Sequence, residues 1–252
     1  MRQRTPAARE ARLGRAVGVE RGTVGGVVLL LPGGEPYSGR GPSPLAAAGV
    51  RDLARSLARA GSADALVAHV VRYRSRGWNG EDAGLARDAE WAVDEVVRRY
   101  GDVPVCLVGV GMGGRAALRA AGHAGVGAVL ALAPWLPEDG RGCEPEPVRQ
   151  LTGRTVMIVH GTNDLRVDPE LSFRFAARAK KGHRDICRFE VHTDGHGLRQ
   201  HRAEVLALAG DFVRGALFGH PYARPVVDAL AAPPPLGLRM PLAAGFGSRR
   251  SK

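Results

Sequence analysis

The sequence predicts an α/β fold with a mostly parallel central sheet flanked by helices on both faces. Three observations carry that expectation. Short, fully apolar runs alternate with segments of helical spacing along the body of the chain, as in a parallel sheet covered on both sides. A glycine-rich turn at 109–113 joins one such run directly to a helix. The 252 residues, 44% of them hydrophobic, suit one α/β domain with a full core and short tails.

The elements follow in order. Residues 15–22 have the Gly-rich turn chemistry of an early hairpin. The run VVLLL (27–31) is a buried strand that passes straight into the loop PGGEP. Residues 45–60 carry Leu45, Val50, Leu53, Leu57 and Ala60 at helical spacing, and Gly61 is a natural stop. A strand is expected over 64–73 and a helix over 82–100, whose apolar face includes Leu85, Trp91, Val93 and Val96. VPVCLVG (103–109) is another buried strand, and a helix follows over 113–122. Strands are expected at 126–133 and 155–161, with a Pro- and Gly-rich loop or very small cap at 134–153 between them. Pro169 opens a helix that runs to 181. The last strand, 187–195, is followed by a closing helix over 199–218. The expected organisation is a basic, partly disordered segment at 1–22, a domain at 23–219 and a Pro-rich tail at 220–252, extended or disordered unless its apolar stretch 236–246 docks on the body or on a partner.

Charge and cysteine usage narrow the function classes. The net charge of +11 is concentrated at the ends. Residues 1–22 and 220–252 each carry +4, which leaves +3 for the body. Two basic tails are a weaker nucleic-acid footprint than a basic stripe on a folded face, so no nucleic-acid partner is expected. No apolar run reaches about 18 residues, so no membrane insertion is expected. The start of the chain has no apolar segment of the kind a secretory signal needs. Three cysteines (Cys106, Cys143, Cys187) without ligand spacing point to a reducing, cytoplasmic setting and to no metal site.

One set of motifs carries chemistry. The strand VPVCLVG leads through Gly109-Val110-Gly111-Met112-Gly113 into a helix. Pro32-Gly33-Gly34 follows the VVLLL strand, His160-Gly161-Thr162-Asn163-Asp164 follows a later strand, and Asp194-Gly195-His196-Gly197 follows the last. The set resembles the α/β-hydrolase superfamily, over about residues 24–218. In that superfamily a G-x-S-x-G elbow holds the nucleophile, and the acid and histidine come later in this order. Two residues depart from the usual elbow: Val110 stands in place of a common His, and Gly111 in place of the Ser.

The resemblance implies roles. Asp164 would hold the His196 ring in one tautomer and stabilise its protonated form. His196 would be the general base, since an imidazole titrates at about 6.5 in ordinary surroundings. Backbone N–H groups of Gly34 and Met112, with Gly33 shaping the loop, would hold an oxyanion. Trp135 would roof the pocket. Gly111 has no attacking atom, so no acyl-enzyme can form there, while glycine adopts a strained elbow at no steric cost.

Cys106 lies inside a buried strand and should be inert, and neither Cys143 nor Ser38 is a strong substitute nucleophile. Gly109, Gly111 and Gly114 also spell the G-x-G-x-x-G dinucleotide fingerprint. That motif follows about the fifth strand, and VGAVLALAPW carries no ribose-binding acid at its end, so no cofactor is expected. Arg72, Arg74 and Arg76 alternate along a strand end, either as an anion-recognising set or as a solvated edge. Trp78 and Trp135 lie on loops that would line a pocket or pack. His69 and His160 are expected to pack.

The functional expectation is a protein that binds a small carbonyl or ester-type compound. It would keep the His–Asp pair and oxyanion loop but have weak or non-classical activity and no ordinary serine-esterase activity. The alternative is a catalytically inactive pseudoenzyme that acts as a binding or scaffold protein. Nothing in the sequence sets the oligomeric state.

Overall fold

The computed structural model describes residues 9–18, 22–137 and 144–248. The strands are β1 (Arg12–Leu13), β2 (Val17–Gly18), β3 (Gly26–Leu31), β4 (Leu66–Arg72), β5 (Val105–Val110), β6 (Val126–Leu132), β7 (Thr155–Gly161), β8 (Ile186–Val191) and β9 (Met240–Pro241). They form one sheet in the order β1-β4-β3-β5-β6-β7-β8-β9, with β2 also paired to β4. Only β1 and β2 run antiparallel to their neighbour; every other pair is parallel. This is the predicted architecture.

Helices cover both faces. They are α1 (Pro44–Gly49), α2 (Arg51–Ala60), α3 (Gly84–Tyr100), α4 (Met112–Ala120), α5 (Pro169–Lys180), α6 (Arg202–Phe218) and α7 (Arg224–Ala231). Alternate residues of the central strands feed two cores, as the period-two geometry of a strand requires. Val27, Leu29 and Leu31 of β3 join Leu85 and Val96 of α3, Leu118 of α4 and Phe175 of α5 on one face. Val28 and Leu30 join Leu57 of α2, Phe212 of α6 and Val226 of α7 on the other. Both faces of β3 and β5 are therefore dry, which explains why their sequences read as unbroken apolar runs.

Four expectations need correction. Residues 15–22 do not form a hairpin of their own: β1 and β2 both lie along β4, and residues 19–21 fall outside the described set. The helix expected over 45–60 is divided into α1 and α2 at Val50, directly after Gly49, where glycine costs helix stability. Strand β8 is not the last. The segment 220–248, expected to be extended or disordered unless docked, folds into α7, a 3₁₀ turn at Leu236–Leu238 and β9, which pairs with β8. Its anchors are apolar: Val226, Ala229 and Leu238 are all fully buried. Pro225 supplies the fixed φ that suits the first turn of α7. The parallel strand ends all point to one edge of the sheet, where the loops after β3, β5, β7 and β8 converge, the usual site position in such sheets.

Candidate active site

The elbow is built almost entirely from backbone. Strand β5 ends at Val110, and α4 begins at Met112, so a single residue turns the chain. That residue, Gly111, has φ 55° and ψ −119°, a conformation that L side chains rarely adopt. Its N–H donates to the Leu132 carbonyl (3.0 Å), and its own carbonyl accepts from Gly114 (2.9 Å) and Trp135 (2.9 Å). The flanking glycines are required by contact. A Cβ on Gly109 would run into the Gly113 carbonyl oxygen, and one on Gly113 would run into the carbonyl oxygens of Leu31 and Pro32. Helix α4 therefore sits directly against the loop after β3.

That loop is equally constrained. The Tyr73 hydroxyl donates to the Pro32 carbonyl (3.1 Å). A Cβ on Gly34 would lie 2.5 Å from the Arg76 carbonyl oxygen and 2.7 Å from a Leu85 methyl. Gly33 is looser, with only the Val110 carbonyl oxygen at 3.6 Å from a would-be Cβ. Met112, the first residue of α4, is buried, and its position in the first turn leaves its N–H without an intrahelical acceptor.

The polar half comes from the ends of β7 and β8. Asp164 Oδ2 lies 2.8 Å from His196 Nδ1 and 3.1 Å from His160 Nε2. Its Oδ1 accepts the backbone N–H groups of Arg166 (2.8 Å) and Val167 (3.1 Å). Burial opposes ionisation of Asp164, but the donors from Arg166, His196 and Val167 outweigh it and hold its pKa below the usual carboxylate range. The Asp164 side chain is fully buried, whereas His196 is 24% exposed. Because Nδ1 faces Asp164, Nε2 is the nitrogen directed at the elbow. A Cβ built on Gly111 would lie 3.4 Å from His196 Nε2.

Asp194, two residues before His196, is buried and shapes the loop that carries it. Its carboxylate accepts from the N–H groups of Gly195 (2.9 Å), Arg199 (3.0 Å) and His201 (3.0 Å).

The structure thus brings Gly111, Asp164 and His196 together, with Met112, Gly33 and Gly34 on the segments that pack at the elbow. Trp135 is tied to the elbow by its backbone, and its half-buried ring packs beside the Arg115 guanidinium, 5.3 Å away. Trp78 is buried beneath that same guanidinium at 3.9 Å, so its role is packing. Arg115 and Arg119 both pair with the buried Glu146, which fastens the chain after residue 144 to α4. Two members of the arginine set have structural partners, Asp88 for Arg74 and Glu35 for Arg76. Ser38 is held in a turn: its N–H donates to Asn79, and its hydroxyl accepts from Arg40. Cys106 is buried in β5, where burial raises its thiol pKa far above the ordinary range. Cys143 lies outside the described residues.

Sequence reasoning missed partners. His160, expected only to pack, lies within hydrogen-bond distance of Asp164, and Ser172 and Arg188 lie behind it. Its place four residues before the acid, at a strand end, was the available signal. His69 also has partners, the Gly14 carbonyl and the Tyr100 hydroxyl.

No family model matches the sequence, and no curated protein matches it. Solved structures do. The Pyrococcus furiosus esterase Pf2001 superposes with a TM-score of 0.62 at 15% identity, over 83% of this chain and 91% of that one. An α-β serine hydrolase homologue from Coxiella burnetii gives 0.57 at 16% identity, over 81% and 97%. An esterase from Pyrobaculum calidifontis gives 0.58 at 16%, over 81% and 83%. The fold is that of the α/β-hydrolases. Within an α/β-hydrolase fold, the elbow, the loop after β3 and the loops after β7 and β8 share the edge of the sheet formed by the strand C-termini. Among the described residues, no helix is long and apolar enough to cross a membrane.

Proposed function

We propose that this chain is an α/β-hydrolase-type protein that binds a small carbonyl or ester-type compound and acts on it without a covalent nucleophile. One observation carries the proposal. His196 is oriented by Asp164 and presents Nε2 to the space above Gly111, where a nucleophile's side chain would begin.

The chemistry uses water in place of a serine hydroxyl. A water above Gly111 gives a proton to His196 Nε2 as its oxygen attacks the carbonyl carbon. Asp164 stabilises the imidazolium that forms. The carbonyl oxygen becomes an oxyanion and is received by the N–H groups of Met112 and Gly34. The tetrahedral species collapses, the alkoxide leaves, and His196 returns the proton to it. Acid and alcohol are the products, and the histidine ends neutral. Without the covalent step the rate is low. Other hydrolases that have lost a triad member retain about 10³–10⁴-fold over the uncatalysed reaction, and that range is expected here.

A short p-nitrophenyl ester tests this in wild type beside His196→Ala. Slow turnover without a burst, lost in the variant, together with no labelling by a serine-directed fluorophosphonate, is the expected result. Labelling at a serine would contradict it. Equal rates in both proteins would leave a binding or scaffold protein without catalysis.

A further inference from the structure

We propose that His160 is a positioning residue: backed by Ser172 and Arg188, it fixes the orientation of the Asp164 carboxylate and, through it, the tautomer of His196. The inference deepens the functional reading above and rests on it for its catalytic meaning, but the geometry stands without any substrate.

Three elements besides the acid loop line up behind one carboxylate. His160 comes from the end of β7, Ser172 from the first turns of α5 and Arg188 from β8. All three are at most 1% exposed. Hydrogen bonds link them in a row: Arg188 Nε to Ser172 Oγ (3.0 Å), Ser172 Oγ to His160 Nδ1 (2.9 Å) and His160 Nε2 to Asp164 Oδ2 (3.1 Å). Asp164 then continues to His196 Nδ1 at 2.8 Å.

Counting protons fixes the direction of the last link. Arginine only donates, so Arg188 occupies one lone pair of Ser172. The Ser172 hydroxyl proton lies between two acceptors, the Pro169 carbonyl at 2.8 Å and His160 Nδ1 at 2.9 Å. Donation to His160 leaves a neutral ring with its proton on Nε2, and donation to Pro169 leaves Nδ1 to donate back to Ser172 from a doubly protonated ring. In both arrangements His160 donates from Nε2 to Asp164, because a bare Nε2 lone pair facing the carboxylate, with both groups buried, would be unmatched. Burial, with the Arg188 charge behind Ser172, pushes the His160 pKa down to about 4 and favours the neutral ring.

The consequence reaches Asp164 and His196. Oδ1 takes two backbone N–H groups, and Oδ2 takes two histidine N–H groups. Four donors from different directions leave the carboxylate no free rotation. Oδ2 is held where only an Nδ1–H form of His196 can complete the set, and that form leaves the Nε2 lone pair facing Gly111. Arg188 is in turn fixed by Glu190 (2.7 Å) and by the Leu238 carbonyl (2.9 Å). The docked C-terminal arm therefore braces the far end of the row.

Nitrogen-15 NMR of histidine-labelled full-length protein reads both tautomers directly, without substrate. In wild type, His160 should be a single Nε2–H form from pH 5 to 8, and His196 a single Nδ1–H form at high pH. His160→Leu should convert His196 to a mixture of tautomers with loss of its protected Nδ1–H signal. His160→Gln, whose amide places an N–H near the former Nε2, should restore that signal. Ser172→Ala, a small change, should leave the fold intact and let the His160 tautomer mix. An Nδ1–H form of His160 in wild type would overturn the proposal. So would an unchanged His196 Nδ1–H signal in His160→Leu, or loss of the signal in both Leu and Gln variants. The ester assay fails or succeeds separately, so an inactive protein with the predicted tautomers would refute the hydrolytic reading alone.

Discussion

The two halves of the candidate site are built in opposite ways. The elbow half is backbone against backbone: Gly109, Gly113 and Gly34 let α4, β5 and the loop after β3 approach closer than any side chain would allow. The acid–base half is side chain against side chain, with Asp164 accepting four donors and a buried row of polar groups behind it. The elbow holds its shape with no functional group at Gly111. The polar half cannot, because an unmatched buried donor or acceptor costs about 1–3 kcal/mol.

Substitutions can break this contrast. Among the single substitutions, the largest effect is expected at Gly113→Ala. Helix propensity would favour alanine by about 1 kcal/mol, but the new methyl would collide with the carbonyl oxygens of Leu31 and Pro32. Overpacking against backbone typically costs 1–3 kcal/mol or more, so a net loss of about 2 kcal/mol in urea denaturation is expected. A stabilised variant would show that the elbow is looser than described.

Acid should act on the other half with similar size. His160 is held neutral, with its pKa lowered from 6.5 to about 4 by burial. The unfolded chain therefore takes up a proton at this residue before the folded protein does. Stability is unaffected above pH 6.5, falls as pH drops below it, and has lost about 3 kcal/mol near pH 4. Asp164 works in the same direction but lower, since its depressed pKa confines its loss to the range below the ordinary carboxylate value. Denaturation midpoints between pH 7 and 4 should drop in wild type, and the slope should flatten in His160→Gln.

A serine at position 111 should cost less. The positive φ there strains any L residue by about 1–3 kcal/mol, yet the added atoms face His196 Nε2 across ordinary contact distance. A folded, modestly destabilised Gly111→Ser is expected by thermal melting. The smallest effect belongs to Gly33→Ala, where a methyl meets nothing closer than 3.6 Å. A change within about 0.5 kcal/mol is expected. The same change at Gly34 should be far worse, and equal behaviour at the two positions would remove the distinction drawn between them.

Much of this was legible in the sequence, and the reason is physical. Strands buried on both faces must be apolar throughout, so 27–31, 103–109 and 155–161 announce themselves. Close backbone approach demands glycine, so 109–113 and 33–34 do the same. Asp164 and His196 were found because they follow strand ends in the expected order. The rest depended on tertiary placement. Arg188, in the stretch CRFEV, resembles an exposed strand residue by pattern, and it is buried only by tertiary placement, between α5 and the arm that pairs with β8. His160 and Ser172 are 12 residues apart and meet only when α5 packs on β7. The tail is rich in proline, yet Pro225 starts α7, and apolar Val226, Ala229 and Leu238 dock it. Helical period alone gave no warning of the break at Val50.

The most direct test of the central claim is ester hydrolysis by Gly111→Ser beside wild type and the double variant Gly111→Ser/His196→Ala. The account predicts that the serine variant hydrolyses a p-nitrophenyl ester well above wild type, acquires fluorophosphonate labelling at residue 111, and loses both in the double variant. A folded serine variant that neither labels nor exceeds wild type would contradict it, because His196, Asp164 and the elbow would then not form a competent constellation.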